Sequence, residues 1–251
     1  MITTMYSIVI PIYNEEETIP ELLGRLTAVM NSHSEQVEVI LVDDGSRDSS
    51  FAQLDDAHRK DSRFKVIRFS RNFGHQIAIS AGIDHASGDA IMIMDGDLQD
   101  PPELLDRFVA KWKEGYDVVY AVRRKRKEGL FKRAAYFTFY RLLQRIASID
   151  IPLDSGDFSL IDKRVAKALT QMPERHRFVR GIRSWAGFRQ THLEYDRDKR
   201  FGGEVKYTVP KLLRLALDGI FSFSNAPLRL ASYFGLLVSV GIFGLAVFYL
   251  L

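Results

Sequence analysis

Three carboxylates, Asp95, Asp97 and Asp100, fall within six residues in Asp95-Gly96-Asp97-Leu98-Gln99-Asp100, directly after the apolar run Ala90 to Met94. Carboxylates crowded like this raise one another's pKa, so a cation belongs among them. Asp95 and Asp97 are two apart across Gly96. On an extended segment they face the same side, and glycine lets the backbone come close to a ligand. Such oxygen donors suit Mg²⁺ or Mn²⁺ bound together with substrate phosphates, and Gln99 adds a neutral oxygen. The pattern Asp-x-Asp is common in loops; it gains weight at the end of a buried strand.

Two further stretches have the same setting. Asp43-Asp44-Gly45-Ser46 closes the apolar run 37–43. Asp and Ser cap helices and Gly permits a bend, so a capped turn is one reading. The other is that two acidic strand ends in one sheet make one site. Pro11-Ile12-Tyr13-Asn14-Glu15 follows the first apolar run. Tyr13 could stack on a base and Glu15 accept from ribose or base groups, although Asn14 and Glu15 also make an ordinary helix start. His75, after Asn72-Phe73-Gly74, reads as a local structural contact rather than a catalyst.

The elements that must position these residues follow from hydrophobic patterning. Short Val- and Ile-rich runs at 7–12, 37–43, 64–70 and 89–95 have the length of buried strands, and helical segments lie near 16–31, 49–60, 74–86 and 101–114. Strand alternating with helix predicts an α/β domain with a mostly parallel sheet. Asp100-Pro101-Pro102-Glu103 reads as a helix start, with Asp100 as cap and Pro101 in the first turn. The acidic stretch is then a strand end, a loop and a helix N-terminus, where open α/β sheets bind ligands.

The 251 residues contain no cysteine, which excludes disulfides and thiolate metal sites. The N-terminal run lacks the features of a signal peptide. No G-x-G-x-x-G follows the first strand, and no P-loop, H-E-x-x-H or G-x-S-x-G motif occurs. Charge is divided: residues 1–120 sum to −10 and residues 121–251 to +13. The acidic half suits a metal ion; the basic half suits phosphates or an anionic membrane, and nucleic acid is not an expected partner. Residues 123–145 carry nine basic residues and one acid, interleaved with apolar and aromatic side chains. This predicts a basic helix on a membrane surface or packed on the domain. Residues 231–251 are 21 uncharged residues, about 30 Å of helix, enough to cross a hydrocarbon core. The natural protein is expected to continue beyond this run. Arg214 and Arg229 before it favour a cytoplasmic N-terminal domain.

PIYNEEETIPELL, LVDDGSRDSS, SRNFGHQIAISAGIDHASGDAIMIMDGDLQDPPE, DSGDFSLID and KRFGGEVKY, in this order, resemble the family-2 glycosyltransferases of the GT-A fold, and among them the polyprenyl-phosphate sugar transferases: bactoprenol glucosyltransferases and dolichol-phosphate mannose synthases. The resemblance covers nearly the whole chain. It implies a GT-A domain over 1–207 with a basic membrane-facing helix at about 129–149, a juxtamembrane amphipathic helix at 208–224 and a transmembrane helix at 229–251. It implies metal-dependent inverting transfer of glucose from UDP-glucose to undecaprenyl phosphate at the cytoplasmic membrane, with Mg²⁺ or Mn²⁺ as cofactor; a homo-oligomer stays open. Pro11, Tyr13, Glu15, Val42 and Asp44 would cradle the nucleotide. Asp95, Gly96, Asp97 and Gln99 would hold metal and diphosphate. Arg123, Arg200 and Lys206 would meet the acceptor or donor phosphates, and Asp157, with Asp97 and Arg200, would act at the reacting centre. Val205 stands where relatives often carry serine, removing a hydroxyl beside Lys206. Two other readings stay open. A processive polysaccharide synthase usually carries Gln-x-x-Arg-Trp, which Gly181-Ile182-Arg183-Ser184-Trp185 does not match. A catalytically inactive membrane-bound binding protein fits poorly with intact Asp95, Asp97 and Asp157.

Overall fold

The computed structural model describes residues 4–124, 155–172, 179–196 and 226–250. The predicted helices at about 129–149 and 208–224, and the candidates Arg200 and Lys206, lie outside them. The chain divides into two units, Met1–Lys127 with Ile151–Val205, and Glu128–Asp150 with Lys206–Leu251.

The first unit is built on β1 (Met5–Ile12), β2 (Gln36–Asp43), β3 (Phe64–Arg68), β4 (Ala90–Ile93), β5 (Val118–Arg123), β6 (Ser155–Asp162) and β7 (Gln190–Tyr195). They form one sheet in the order β3-β2-β1-β4-β6-β5-β7. β1 runs parallel to β2 and β4, β2 to β3, and β5 to β7. Only β6 is antiparallel to its neighbours, β4 and β5. β1 and β2 are buried over almost their whole length, as central strands covered on both faces must be.

The helices of this unit are α1 (Ile19–Ser32), α2 (Ser50–Lys60), α3 (His75–Asp84), α4 (Leu105–Lys113), α5 (Lys163–Thr170) and α6 (Val179–Trp185). α1 buries Ile19, Leu22, Leu26, Val29 and Met30, a helical stripe that meets Ile8, Ile10 and Leu41 in the core. Each such side chain is worth about 1.5–3 kcal/mol when fully buried. α2 turns Leu54 and Ala57 inward.

The start of α4 differs from the expectation. A 3₁₀ turn at Pro102–Leu104 precedes it, Pro101 is the cap residue, and no side chain caps the turn. Asp100 is instead buried and accepts a hydrogen bond from the Tyr195 hydroxyl at 2.6 Å. A tertiary partner therefore takes the oxygen that a local cap would have used.

In the second unit, α7 (Ala226–Leu250) is the described element. Its stretch Ala231–Leu250 has a mean hydropathy of 2.1 and none of it is buried. It is long and apolar enough to cross a membrane.

Candidate active site

The carboxyl ends of β1, β2 and β4 and the amino end of antiparallel β6 carry the chemistry-bearing residues, stitched together by side-chain to backbone bonds. After β1, Asn14 takes a left-handed conformation (φ 51°). Its N–H donates to Ser46 Oγ at 3.0 Å and its Oδ1 accepts from Arg47 N–H at 2.9 Å. Glu15 N–H donates to Ser50 Oγ at 2.9 Å. The stretch holding Tyr13 and Glu15 is thus locked to the loop after β2.

Pro11 pairs with Val42 across β1 and β2. Val42 is fully buried and its methyls reach the underside of α3 at Gly82, so its side chain belongs to the core. Asp44 is also buried, and its two carboxylate oxygens accept from Phe73 N–H at 2.7 Å and Gly74 N–H at 2.9 Å. Burial raises its pKa, the two backbone bonds oppose that, and Asp43 adds to the rise. Asp44 therefore organises the loop that delivers His75. Gly45 completes this turn at φ +69°, where a Cβ would stand 2.5 Å from the backbone carbon of Arg71. Gly45→Ala should cost about 2–3 kcal/mol through strain and displacement of Arg71, read as a lowered urea midpoint.

Beyond β4 the acidic stretch crosses over β1. Met94 N–H donates to Val9 O at 3.1 Å, and a Cβ at Gly96 would meet Ile12 Cδ1 at 2.6 Å. Leu98, buried in the core, takes φ 61°; that costs a non-glycine residue about 1–3 kcal/mol and tends to occur at functional sites. Asp97 Oδ1 accepts from Gln99 N–H at 3.1 Å. On the other side, the Tyr195 hydroxyl donates to Asp100, and its pKa rises through burial and the Asp100 charge, against a lowering by Arg123. Arg123, at the end of β5, pairs with Tyr195 across β5 and β7. Tyr195→Phe should destabilise by about 1–3 kcal/mol by leaving buried Asp100 without this donor, measurable by urea denaturation.

Asp157, near the start of β6, faces this loop across α3. His75 Nε2 stands 3.5 Å from Asp95 Oδ1 and 3.4 Å from Asp157 Oδ2. Arg180 Nη2 is 3.5 Å from the same Asp157 oxygen, and Gln76 Nε2 donates to it at 3.0 Å. Burial alone would raise the Asp157 pKa; Arg180, His75 and Arg183 outweigh it and hold the carboxyl well below its usual range. Desolvation opposes charge on His75, but the Asp157 hydrogen bond and the Asp95 and Asp157 charges lift it to about 9. Arg183 is 1% exposed and donates Nη1 to Ser159 Oγ at 2.7 Å; burial draws its pKa down to about 10 against the pull of Asp157. His75, read from sequence as a local contact, thus stands between two candidate site carboxylates. Gln76, Arg180 and Arg183 carried no sequence signal for this site.

Asp95 and Asp97 offer two hard carboxylates on a surface loop. Among the described residues no group of three or more His, Cys, Asp or Glu could hold a metal ion. Two carboxylates fit Mg²⁺ or Mn²⁺ when substrate phosphates and water complete the shell. A separate cleft of about 550 Å³ lies at the ends of β2 and β3, with Arg47, Arg68 and Arg71 around Phe69. It is not at the Asp95–Asp157 cluster, which lies across β1 toward β4 and β6.

Residues 7–170 match the family described as Glycosyl transferase family 2. The chain belongs to that family. As a family-2 glycosyltransferase it has the GT-A fold, and its relatives cover most of it. The glycosyltransferase YkcC of Bacillus subtilis (strain 168) is 54% identical over 235 residues, 93% of this chain and 73% of the relative. The prophage bactoprenol glucosyl transferase homolog of Escherichia coli (strain K12) is 40% identical over 234 residues, 93% of this chain and 76% of the relative. Among solved structures, glucosyl-3-phosphoglycerate synthase from Mycobacterium tuberculosis in complex with Mn²⁺, UDP and glucosyl-3-phosphoglycerate aligns with a TM-score of 0.57 at 19% identity, covering 87% of this chain and 77% of that one. That likeness concerns the fold.

Proposed function

We propose that this family-2 glycosyltransferase transfers a hexose, glucose first, from UDP-glucose to undecaprenyl phosphate at the cytoplasmic face of a membrane, releasing UDP. The observation that carries this reading is the convergence of Asp95, His75, Asp157 and Arg180 beside Asp97 at the strand ends. The relative named bactoprenol glucosyl transferase homolog, aligned over 93% of the chain, supports the acceptor. The apolar helix α7 supports membrane association.

The acceptor is a phosphate monoester with a second pKa near 6, so much of it is already ionised at neutral pH. Its oxygen attacks the anomeric carbon, the bond from that carbon to the UDP oxygen breaks, and no proton has to leave the dianion. The main demand is to bring two anions together. Asp157, pinned by cations, is a weak base; its role is to hold Arg180 and His75 where they face phosphate charge. Arg123, Arg200 and Lys206 are proposed to hold the acceptor or donor phosphates. Asp95 and Asp97, with Gln99, would hold Mg²⁺ or Mn²⁺. When bound, such an ion supplies Lewis-acid neutralisation of the leaving diphosphate. The arginine-lined cleft at β2 and β3 suits the nucleoside end of an extended donor, with Tyr13 and Glu15 between it and the diphosphate.

The test is transfer of label from radioactive UDP-glucose to undecaprenyl phosphate by detergent-purified protein with Mg²⁺ or Mn²⁺. Labelled lipid and free UDP are expected. Transfer from another nucleotide sugar only would overturn the glucose donor; transfer to no polyprenyl phosphate from any donor would overturn the acceptor.

A further inference from the structure

One side chain outside the proposed reaction ties three elements of the site together. Gln76, in the first turn of α3, donates through Nε2 to Asp157 Oδ2 at 3.0 Å. Its Oε1 accepts from Val179 N–H at 2.9 Å. Val179 is the first residue of α6, the helix that carries Arg180 and Arg183. The first N–H groups of a helix have no partner within it; here a side chain of another helix satisfies one. The planar amide has one donor end and one acceptor end, so both bonds together fix the distance between the Asp157 carboxylate and the start of α6. A carboxylate at position 76 could accept from Val179 but would repel Asp157, and an apolar side chain could make neither bond.

A second link runs the same way. Arg183 Nη1 donates to Ser159 Oγ at 2.7 Å, and Ser159 Oγ donates to Asp157 O at 2.8 Å. Among the described residues, Arg183 Nε and Nη2 are buried without a hydrogen-bond partner, so this guanidinium is held there by few bonds and depends on α6 being held from elsewhere. Of the two links, only Gln76 reaches the Asp157 carboxylate itself.

We infer that Gln76 is a positioning residue for sugar transfer: it clamps α6 to Asp157, and so sets Arg180 against the carboxylate that orients it. The inference rests on Asp157 lying at the reacting centre, as proposed above. Gln76 acts through Asp157 and needs no contact with substrate.

Gln76→Met keeps the side-chain length and removes the amide. It is expected to lower kcat by about 10- to 100-fold, the scale of a small misplacement at a reacting centre, with the donor KM changed by less than about twofold. Hydrogen–deuterium exchange at the Val179 amide, followed without substrate, should accelerate about tenfold or more as its bond is lost. In an Asp157→Asn background, Gln76→Met should add less than about a twofold further loss, because residues acting as one unit are non-additive. Multiplying losses, which a general loss of stability would also give, would overturn the inference. So would a wild-type kcat in Gln76→Met, or unchanged Val179 exchange. If Gln76→Met does not accumulate folded, Gln76→Asn, too short to reach both partners, should show the same loss of kcat and faster exchange. A wild-type protein that transfers no sugar to polyprenyl phosphate would sink the functional reading alone, since Val179 exchange needs no substrate.

Discussion

Asp97→Ala is expected to lower sugar transfer by about a thousandfold or more, the rate equivalent of several kcal/mol of charge stabilisation at the leaving diphosphate. The fold should survive it. Asp97 lies on a loop, and its bond to Gln99 N–H at 3.1 Å closes a local turn. Loss of such a bond costs about 1 kcal/mol. Leu98 in the core and the Asp100–Tyr195 bond hold the segment that follows it. Titration calorimetry of UDP with and without Mn²⁺ isolates the role of the carboxylate. Wild type should bind UDP more tightly with the ion, and Asp97→Ala should lose that gain while its metal-free affinity stays the same. Undiminished metal-dependent binding in the variant would remove Asp97 from the metal site.

Legibility of the fold in the sequence follows the physics of each element. β1, β2 and β4 are buried on both faces, so they read as continuous apolar runs and their bounds come out within two residues. β6 is hidden because its residues divide by face: Phe158 and Leu160 join the core, while Ser159 is buried as the acceptor for Arg183. A polar residue inside a strand hides the run when its partner is distant in sequence. Asp95 and Asp97 were legible because local spacing and a strand end make them conspicuous. Gln76 was not, since its meaning depends on contacts across 81 residues to Asp157 and 103 residues to Val179; nor were His75, Arg180 and Arg183, whose partners Asp157 and Ser159 lie on another element. Asp100 fits a helix cap by every local rule, and a hydroxyl 95 residues away takes it instead.

Asp157→Asn should combine two losses that a catalytic base would separate. The carboxylate is 12% exposed and faces His75 and Arg180 at 3.4 and 3.5 Å, with buried Arg183 adding its charge. Asparagine keeps the shape and removes the counter-charge. Breaking a buried pair in this way costs on the order of 3 kcal/mol, or roughly 10 °C of melting temperature for a domain of this size. Turnover, measured at low temperature where the variant is folded, should fall by about 100-fold as Arg180 and His75 lose their anchor. The pH profile decides the role. Because its cations hold Asp157 ionised far below neutrality, the acid limb of wild-type kcat/KM should come from the acceptor phosphate near its second pKa of about 6. Asp157→Asn should keep that limb in place while lowering the whole curve. If Asp157 instead takes a proton in the transition state, the limb belongs to it and disappears in the variant. A flat acid limb together with an unchanged melting temperature would replace the counter-ion role by that of a general base.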